Sequence, residues 1–195
     1  MDRERELQLV DRLRAGDAGA FDEVHAAFNT RLFNFLCKLS NRREVAEDLL
    51  EETWLRLVRH AHRLRPDTSL GPWLFTVARR LCVSYRRSRL LEDSHAAGLI
   101  GLWPSGTQGP SPFETLSMSE AHQRVAAALA GLPLVYREAL LLVGVEGMRH
   151  AEAAEICGVT AEVMRQRVSR GRALLTDRLS DAPACPVAAW KEATT

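Results

Sequence analysis

The chain lacks the residue patterns that mark catalytic, metal and membrane sites. Its four cysteines are widely spaced and form no CxxC pair, so neither a zinc site nor a disulfide framework is expected. No P-loop or nucleophile–base pattern occurs, which argues against an enzyme and against a bound cofactor. No apolar run approaches the roughly 18 residues of a membrane span, and the charged opening MDRERELQLV is unlike a signal peptide. These absences predict a non-catalytic cytoplasmic protein without membrane insertion.

Lysine is also scarce, because only Lys38 and Lys191 contribute to the 26 basic residues. The net charge is +1, so total charge favours no class of partner. Because arginine replaces lysine throughout, the presence of an arginine is less informative than its position. The distribution of the arginines must therefore carry the functional argument.

Strand-like alternation is absent as well, whereas apolar residues recur at helical spacing along most of the chain. Four helices are predicted at about 3–15, 18–39, 42–62 and 72–89, and the second half predicts helices at 119–130, 133–143 and a pair within 150–179. The stretch GLIGLWPSGTQGPSPF has four glycines and three prolines and reads as a linker. We expect an all-α fold of two small helical domains, residues 1–90 and 118–180. A flexible linker, residues 91–117, would join them, and a disordered tail, residues 181–195, would follow.

The third predicted helix has two apolar arcs when it is wound at 100° per residue. The predicted core arc holds Ala46, Leu50, Trp54, Leu57, Val58 and Ala61. The opposite arc mixes acids with large apolar groups: Val45, Asp48, Leu49, Glu52 and Leu55. One interpretation is a helix buried on two sides of its own domain. The other is a docking surface for a basic partner helix, with leucines for burial and carboxylates for steering.

The fourth predicted helix bears an arginine stripe opposite its apolar face: Arg79, Arg80, Arg86 and Arg87. Nine arginines and one acid, Asp67, lie between Arg56 and Arg89. Like charges at helical spacing repel, and a polyanion would relieve that repulsion. The preceding loop, HRLRPDTSLGPW, has polar groups that could grip unstacked bases. An ordinary solvated helix face is the alternative interpretation.

Near the end of the chain, RHAEAAEICGVTAEVMRQRVSRGR has the form of a helix, a tight turn at Gly158 and a second helix. This is a helix-turn-helix pattern. The second helix is expected to pack down through Met164, Val168 and Leu175. Its outward side chains suit bases or phosphates in the major groove: Glu162, Val163, Arg165, Gln166, Ser169 and Arg170.

Taken in order, these segments resemble the extracytoplasmic-function sigma factors of bacterial RNA polymerase. The resemblance covers about 20–89 and 121–179, and it rests on AEDLLEETWLRL, on GPWLFTVARR followed by YRR, on ALAGLPLVYREALLL and on the helix-turn-helix. It implies a promoter-specificity subunit that binds core polymerase, opens the duplex and remains under anti-sigma control. The expected partners are the clamp helices of the largest subunit, the flap region, promoter DNA and an anti-sigma factor.

The resemblance also assigns roles to the residues. Polymerase binding would fall to Val45, Asp48, Leu49, Glu52 and Leu55. The −10 element would be met by Arg63, Arg65, Asp67, Thr68, Arg79, Arg80, Arg86 and Arg87. The −35 element would be met by Thr160, Glu162, Val163, Arg165, Gln166, Arg167, Ser169, Arg170 and Arg172.

The recognition helix departs from the family pattern. Glu162, Val163 and Met164 stand where Gly-Thr-Val is common, and the exposed Val163 could contact a thymine methyl group. Gly171 replaces a usual alanine and would weaken the helix by about 1 kcal/mol at most. Two other functions stay open: a stand-alone helix-turn-helix regulator, and a sigma-like decoy that binds an anti-sigma factor.

Overall fold

The computed structural model describes residues 3–97 and 120–181, and all the regular structure in these two stretches is helical. The N-terminal domain contains α1 (Arg3–Arg14), α2 (Ala18–Ser40), α3 (Arg43–His60), a 3-10 turn (Ala61–Arg63) and α4 (Leu70–Ala97). The C-terminal domain contains α5 (Glu120–Ala130), α6 (Leu134–Leu140), a π turn (Leu141–Val145), α7 (His150–Cys157) and α8 (Ala161–Asp181). The predicted all-α, two-domain architecture is confirmed.

The core of the N-terminal domain follows from helical spacing in α2. Phe28, Leu32, Phe35 and Leu39 recur every three or four residues and are buried. Phe35 meets Phe75 of α4 edge to face, with ring centroids 5.2 Å apart. The helix pairs α2–α3, α2–α4 and α3–α4 all pack together. The domain is thus a three-helix bundle, with α1 laid against α2 and the 3-10 turn.

Two helix ends differ from the sequence-based prediction. The third helix was expected to start at about residue 42, directly after Asn41, and it starts at Arg43, because Asn41 ends α2 in the left-handed conformation (φ 60°) with its N–H donating to Cys37 O. The fourth helix was expected to end near Arg89, but it continues to Ala97. No glycine or proline interrupts the chain between these positions, so nothing stops the helix. The rest of the predicted linker, 98–117, and the tail beyond residue 181 lie outside the described residues.

The C-terminal domain is built around α6 and α8. The turn between α7 and α8 depends on Gly158, which adopts a positive φ of 67° that L side chains rarely adopt. Met164 and Val168 bury one side of α8, as predicted, and Leu175 is half-buried on the same side. The helix-turn-helix therefore has a fixed inner face and an exposed outer face.

The two domains pack directly against each other. Helix α4 contacts α7, and α2 contacts α5 and α6. One joint cluster of buried apolar residues includes Leu39 and Cys82 of the first domain and Leu132 and Ile156 of the second. The contact brings side chains of the two predicted DNA-binding sets close to one buried carboxylate.

Candidate nucleic-acid interface

The outward face of α3 is acidic, but it is rotated relative to the prediction. Val45 and Leu49 were placed on the docking arc, yet both are less than 9% exposed. Val58 was placed in the core, yet it is 58% exposed. The physical reason is that α2 and α4 cover α3 from two directions. The buried arc therefore lies between the two predicted arcs, and the interpretation of a helix buried on two sides is correct for this part of it.

The exposed arc of α3 keeps its five acids and two large apolar groups: Glu44, Glu47, Asp48, Glu51, Glu52, Leu55 and Val58. Arg43 pairs with Glu47 and Arg56 with Glu52, each at 2.9 Å. Such exposed pairs contribute little stability. The arc retains a net negative charge beside exposed apolar side chains.

A shallow groove of about 390 Å³ runs along the same arc between α3 and α2. Its lining is apolar and aromatic with an acidic edge: Phe21, His25, Glu47, Leu50, Glu51, Trp54, Leu55 and Val58. The Trp54 indole donates to Asn29 Oδ1 at 3.0 Å, and its ring lies tilted against that of His25, with ring centroids 4.8 Å apart and an interplanar angle of 49°. The Trp54 side chain in the groove lining is therefore oriented by a hydrogen bond and an aromatic contact.

The loop from Arg63 to Ser69 carries the first half of the predicted −10 set. Arg65, Asp67 and Arg63 are exposed, and Thr68 is half-buried. Arg65 pairs with Asp67 through two contacts of 2.8 and 3.0 Å across the turn. The three charged side chains lie in solvent just before α4, where a nucleic acid could reach them.

The arginine stripe of α4 divides into two pairs. Arg80 and Arg87 are exposed. Arg86 is half-buried and donates to Leu39 O at 3.4 Å. Arg79, at 18% side-chain exposure, points into the interface with the C-terminal domain. The sequence predicted four equivalent outward arginines, and this part of the prediction is wrong because the second domain covers one edge of the stripe.

Arg79 meets a buried carboxylate of α6. Its Nε and Nη2 donate to the two oxygens of Glu138 at 2.8 and 3.1 Å, and Glu138 is 1% exposed. Arg167 of α8 donates to the same carboxylate at 3.3 Å. Burial alone lowers the pKa of Arg79, but its hydrogen bond to Glu138 and the charge of that group outweigh the effect and raise the pKa. One carboxylate thus holds an arginine from each predicted DNA-binding set.

The outer face of α8 is open to solvent, with Arg165, Gln166 and Arg170 exposed. Glu162 accepts from Arg165 Nε at 3.1 Å and from Gln166 at 3.4 Å. The hydrogen bond from Arg165 lowers the pKa of Glu162, which stays ionised. Glu162 therefore orients two candidate base-reading side chains.

The remaining −35 candidates fall into three kinds. Ser169 and Arg172 are exposed, Val163 is 37% exposed, and Arg167 is turned inward to Glu138. The Thr160 hydroxyl accepts from Val163 N at 3.3 Å and caps the start of α8. The hydrogen bond of Thr160 in this structure therefore stabilises the start of the helix.

Four polar residues at these sites were missed by the sequence reasoning: Arg3, Glu6, Arg137 and Glu138. Arg3 and Glu6 of α1 bind the loop before α4. Arg137 is 4% exposed and donates to Asn41 Oδ1 and Leu132 O, each at 3.0 Å. For Arg137 and Glu138, the sequence shows only two adjacent charged residues in a largely apolar helix. That pattern does not indicate which residues they contact.

Comparison with known proteins agrees with this geometry. Residues 25–90 match the profile of Sigma-70 region 2, and residues 122–175 match that of Sigma-70, region 4. The ECF RNA polymerase sigma factor EcfG of Rhodopseudomonas palustris (strain TIE-1) is 34% identical over 170 residues, covering 87% of this chain and 86% of that protein. The ECF RNA polymerase sigma factor SigM of Bacillus subtilis (strain 168) is 31% identical over 156 residues, covering 77% and 90%.

Two solved structures share the fold. The sigma factor RpoE of Bartonella quintana, in complex with the anti-sigma factor NepR, superposes with a TM-score of 0.67 at 26% identity, covering 83% of this chain and 98% of that one. CnrH, in complex with the cytosolic domain of CnrY, superposes with a TM-score of 0.69 at 20% identity, covering 92% and 99%.

A region 2 bundle followed by a region 4 helix-turn-helix defines the sigma-70 class of transcription initiation proteins. Within that class, the chain belongs to the extracytoplasmic-function sigma factors. This is a family of non-catalytic, DNA-binding proteins, which confirms that the chain is not an enzyme. In the two described stretches of the chain, none of the helices combines the length and apolar character needed to cross a bilayer.

Proposed function

We propose that this chain brings core RNA polymerase to its promoters through three separate surfaces, in the cytoplasm and under anti-sigma control. The observation that carries the proposal is the acidic arc of α3, where five carboxylates flank exposed Leu55 and Val58 beside an apolar groove. A stand-alone DNA-binding regulator would have no use for such a surface.

The acidic arc is the proposed polymerase-binding site. A basic helical partner such as the clamp helices would bury Leu55 and Val58, while Asp48, Glu51 and Glu52 would steer its approach. Val45 and Leu49 support this surface from beneath, since both are buried. The flap region is proposed as the partner of the C-terminal domain.

The −10 surface is the loop before α4 together with the arginine stripe. Arg63, Arg65 and Thr68 would meet unstacked bases, with Asp67 holding Arg65 in place. Arg80 and Arg87 would bind phosphates, and Arg79 and Arg86 would join them once their present partners are released.

The −35 surface is the outer face of α8. Arg165 and Gln166 would read base edges in the major groove, and Arg170 would bind a base or a phosphate. Val163 offers an apolar contact for a thymine methyl group. Glu162 is ionised and lies in the first turn of α8, on the same outer face as Arg165. It would therefore disfavour a phosphate at the start of the helix and would orient Arg165 instead.

An anti-sigma factor is the proposed regulator. The relative RpoE was solved with the anti-sigma factor NepR. A regulator of this kind would compete with polymerase for the acidic arc or hold the two domains together. A decoy without promoter activity is the alternative, and transcription separates the two.

The test is reconstitution with core polymerase. Reversing charge in Asp48→Lys/Glu51→Lys should abolish co-purification with core enzyme and promoter-dependent transcription, because a positive arc repels a basic helix. Glu155→Lys, an exposed acid of α7, is the matched control and should bind normally. Normal binding by the double variant would refute the docking surface. DNA binding by the wild-type chain without any affinity for core enzyme would indicate a stand-alone regulator.

A further inference from the structure

The loop proposed to read the −10 element is braced from outside by α1. Arg3 Nη2 donates to Asp67 O at 2.7 Å, and Arg3 Nη1 donates to the Ser69 hydroxyl at 2.9 Å. Glu6 Oε1 accepts from Leu70 N, the first N–H of α4, at 2.8 Å. Arg3 and Glu6 also pair with each other at 2.8 Å. Two residues of α1 thus bind three residues at the end of the loop and the start of α4, namely Asp67, Ser69 and Leu70.

The brace formed by Arg3 and Glu6 supplies a hydrogen-bond acceptor for the start of α4. The first N–H groups of a helix have no partner within the helix, and a carboxylate there also meets the positive end of the helix dipole. Glu6 performs this capping from a different helix, and its side chain is only 14% exposed. The family match begins at residue 25, so α1 lies outside it.

We propose that Arg3 and Glu6 are positioning residues that fix the loop from Arg65 to Ser69 and thereby set base preference at the −10 element. This inference rests on the proposed function. Arg65, Asp67 and Thr68 must present their side chains in one geometry to discriminate bases, and a shift of about 1 Å in such a group is enough to lose discrimination.

The test uses the full chain with core polymerase and a promoter library randomised at both elements. Glu6→Gln and Arg3→Gln should flatten the base preference at −10 positions and leave the −35 preference unchanged. Hydrogen exchange at the Leu70 amide should rise by about tenfold in Glu6→Gln, since the ionised acceptor of this N–H becomes a neutral and weaker one. Arg5→Gln, two residues further along α1 and paired with Glu23 instead, is the matched control.

An unchanged −10 preference in both variants, or an equal loss at both elements, would overturn the positioning role. If the wild-type chain transcribes from no library member, the proposed function fails instead. In that case the exchange rate at Leu70 still decides whether the brace exists.

A second inference comes from the interface between the domains. Glu138 of α6 holds Arg79 of α4 through both carboxylate oxygens, at 2.8 and 3.1 Å. Its neighbour Arg137 donates to Lys38 O and Leu39 O, each at 3.4 Å, at the carbonyl end of α2. Arg31 of α2 pairs with Glu146 at 2.9 Å, and Glu146 is 6% exposed on its side chain. Two ion pairs and one set of arginine–carbonyl hydrogen bonds therefore join the domains.

This closed arrangement is incompatible with simultaneous binding to both promoter elements. The element names place them about 25 base pairs apart, or about 85 Å along B-DNA at 3.4 Å per base pair. Compact domains of this size are about 30 Å across. Two domains that share buried contacts cannot lie on both elements, so the interface must open for promoter binding. Opening also frees Arg79 for phosphate.

We propose that the Glu138–Arg79 pair is an autoinhibitory latch, in which Glu138 occupies the guanidinium that promoter DNA would otherwise bind. The latch needs no second protein. The closed interface and DNA compete for the same side chain, so any ligand that binds the released Arg79 favours the open form.

Two buried thiols at this interface report on opening. Cys82 of α4 lies near Arg137 and Glu138, and Cys157 of α7 lies near Arg79. In the full-length chain without DNA, Glu138→Gln should raise their iodoacetamide alkylation rates by about tenfold, the factor for one lost charge-assisted hydrogen bond. Peptide mass spectrometry separates these sites from Cys37 and Cys185. Glu155→Gln is the matched control.

Because Glu138 also holds Arg167, the variant could perturb α8 rather than the interface. Arg31→Gln therefore opens the same interface from the other side without touching α8, and it should raise the same two rates. Unchanged rates in both variants would overturn the latch, as would wild-type rates equal to those of the unfolded chain. The readout involves neither DNA nor polymerase, so a failed proposed function would not alter it.

Discussion

Gly171 lies where α8 crosses α6, and replacing it with alanine tests what holds the recognition helix in place. A Cβ at this position would lie 3.1 Å from Leu140 Cγ, 3.3 Å from Leu140 Cδ1 and 3.4 Å from Tyr136 Cβ. These distances are shorter than the optimal 3.5–4.0 Å between carbon atoms. The glycine therefore allows close helix approach, which its helix propensity alone does not reveal.

Two effects of Gly171→Ala oppose each other. Alanine in a helix interior is favoured over glycine by about 1 kcal/mol, whereas an extra methyl group in a well-packed site costs about 1–3 kcal/mol. Tyr136 Cβ is attached directly to the backbone and cannot rotate away, and Leu140 is 7% exposed and confined. We expect the steric cost to win, with a net loss of about 1 kcal/mol in the free energy of unfolding.

The assay is urea denaturation of the full chain followed by circular dichroism. Gly144→Ala is the control, because Gly144 has no atom within 4 Å of an added Cβ and no positive φ. That variant should gain about 0.4–1 kcal/mol by restricting the unfolded chain. If Gly171→Ala were stabilised as much as Gly144→Ala, the close approach of α8 to α6 would be refuted.

Three further predictions concern thiols, pH and salt. Burial raises the pKa of Cys82 to about 11 and that of Cys157 to about 12. At pH 8 both thiols should therefore react with iodoacetamide at least about 100-fold more slowly in the folded chain than in the urea-unfolded chain. Similar rates in the two states would contradict their burial. The Arg12 hydrogen bond lowers the pKa of Glu23, so its stabilisation is present above the unfolded pKa and lost as pH falls through the folded one. Arg12→Gln should reduce the loss of unfolding free energy between pH 7 and pH 2. If the variant and the wild-type chain lost the same amount, the Arg12–Glu23 pair would not contribute to stability. Arg80→Ala should lower the slope of log K against log salt for promoter binding by about one; an unchanged slope would remove Arg80 from the phosphate contacts.

The sequence predicted the elements of the fold well because they are local. Apolar residues spaced three to four apart fixed which segments are helical, and Gly158 marked the turn of the helix-turn-helix. Met164 and Val168 were correctly predicted on its inner face. The ends of helices were less accurate, since Asn41 suits either the end of α2 or the start of α3.

The orientation of α3 was predicted with an error of part of a turn. Its sequence has apolar residues on most sides, so periodicity alone offered two candidate core arcs. The choice was made by α2 and α4, which cover Val45 and Leu49 and leave Val58 exposed. The acids were the better guide to the outward face, because an unpaired carboxylate is costly to bury.

By itself, the sequence determined an all-helical chain with two domains, an acidic face, a basic helix and a helix-turn-helix, all of which depend on residues within one or two turns of each other. Only the tertiary structure decided which arginines of α4 are exposed to solvent. Arg79 and Glu138 are separated by 59 residues along the chain, and no local pattern connects them. Their pairing depends on how two finished domains pack, because a buried charge is stable only beside a partner that the packing brings to it.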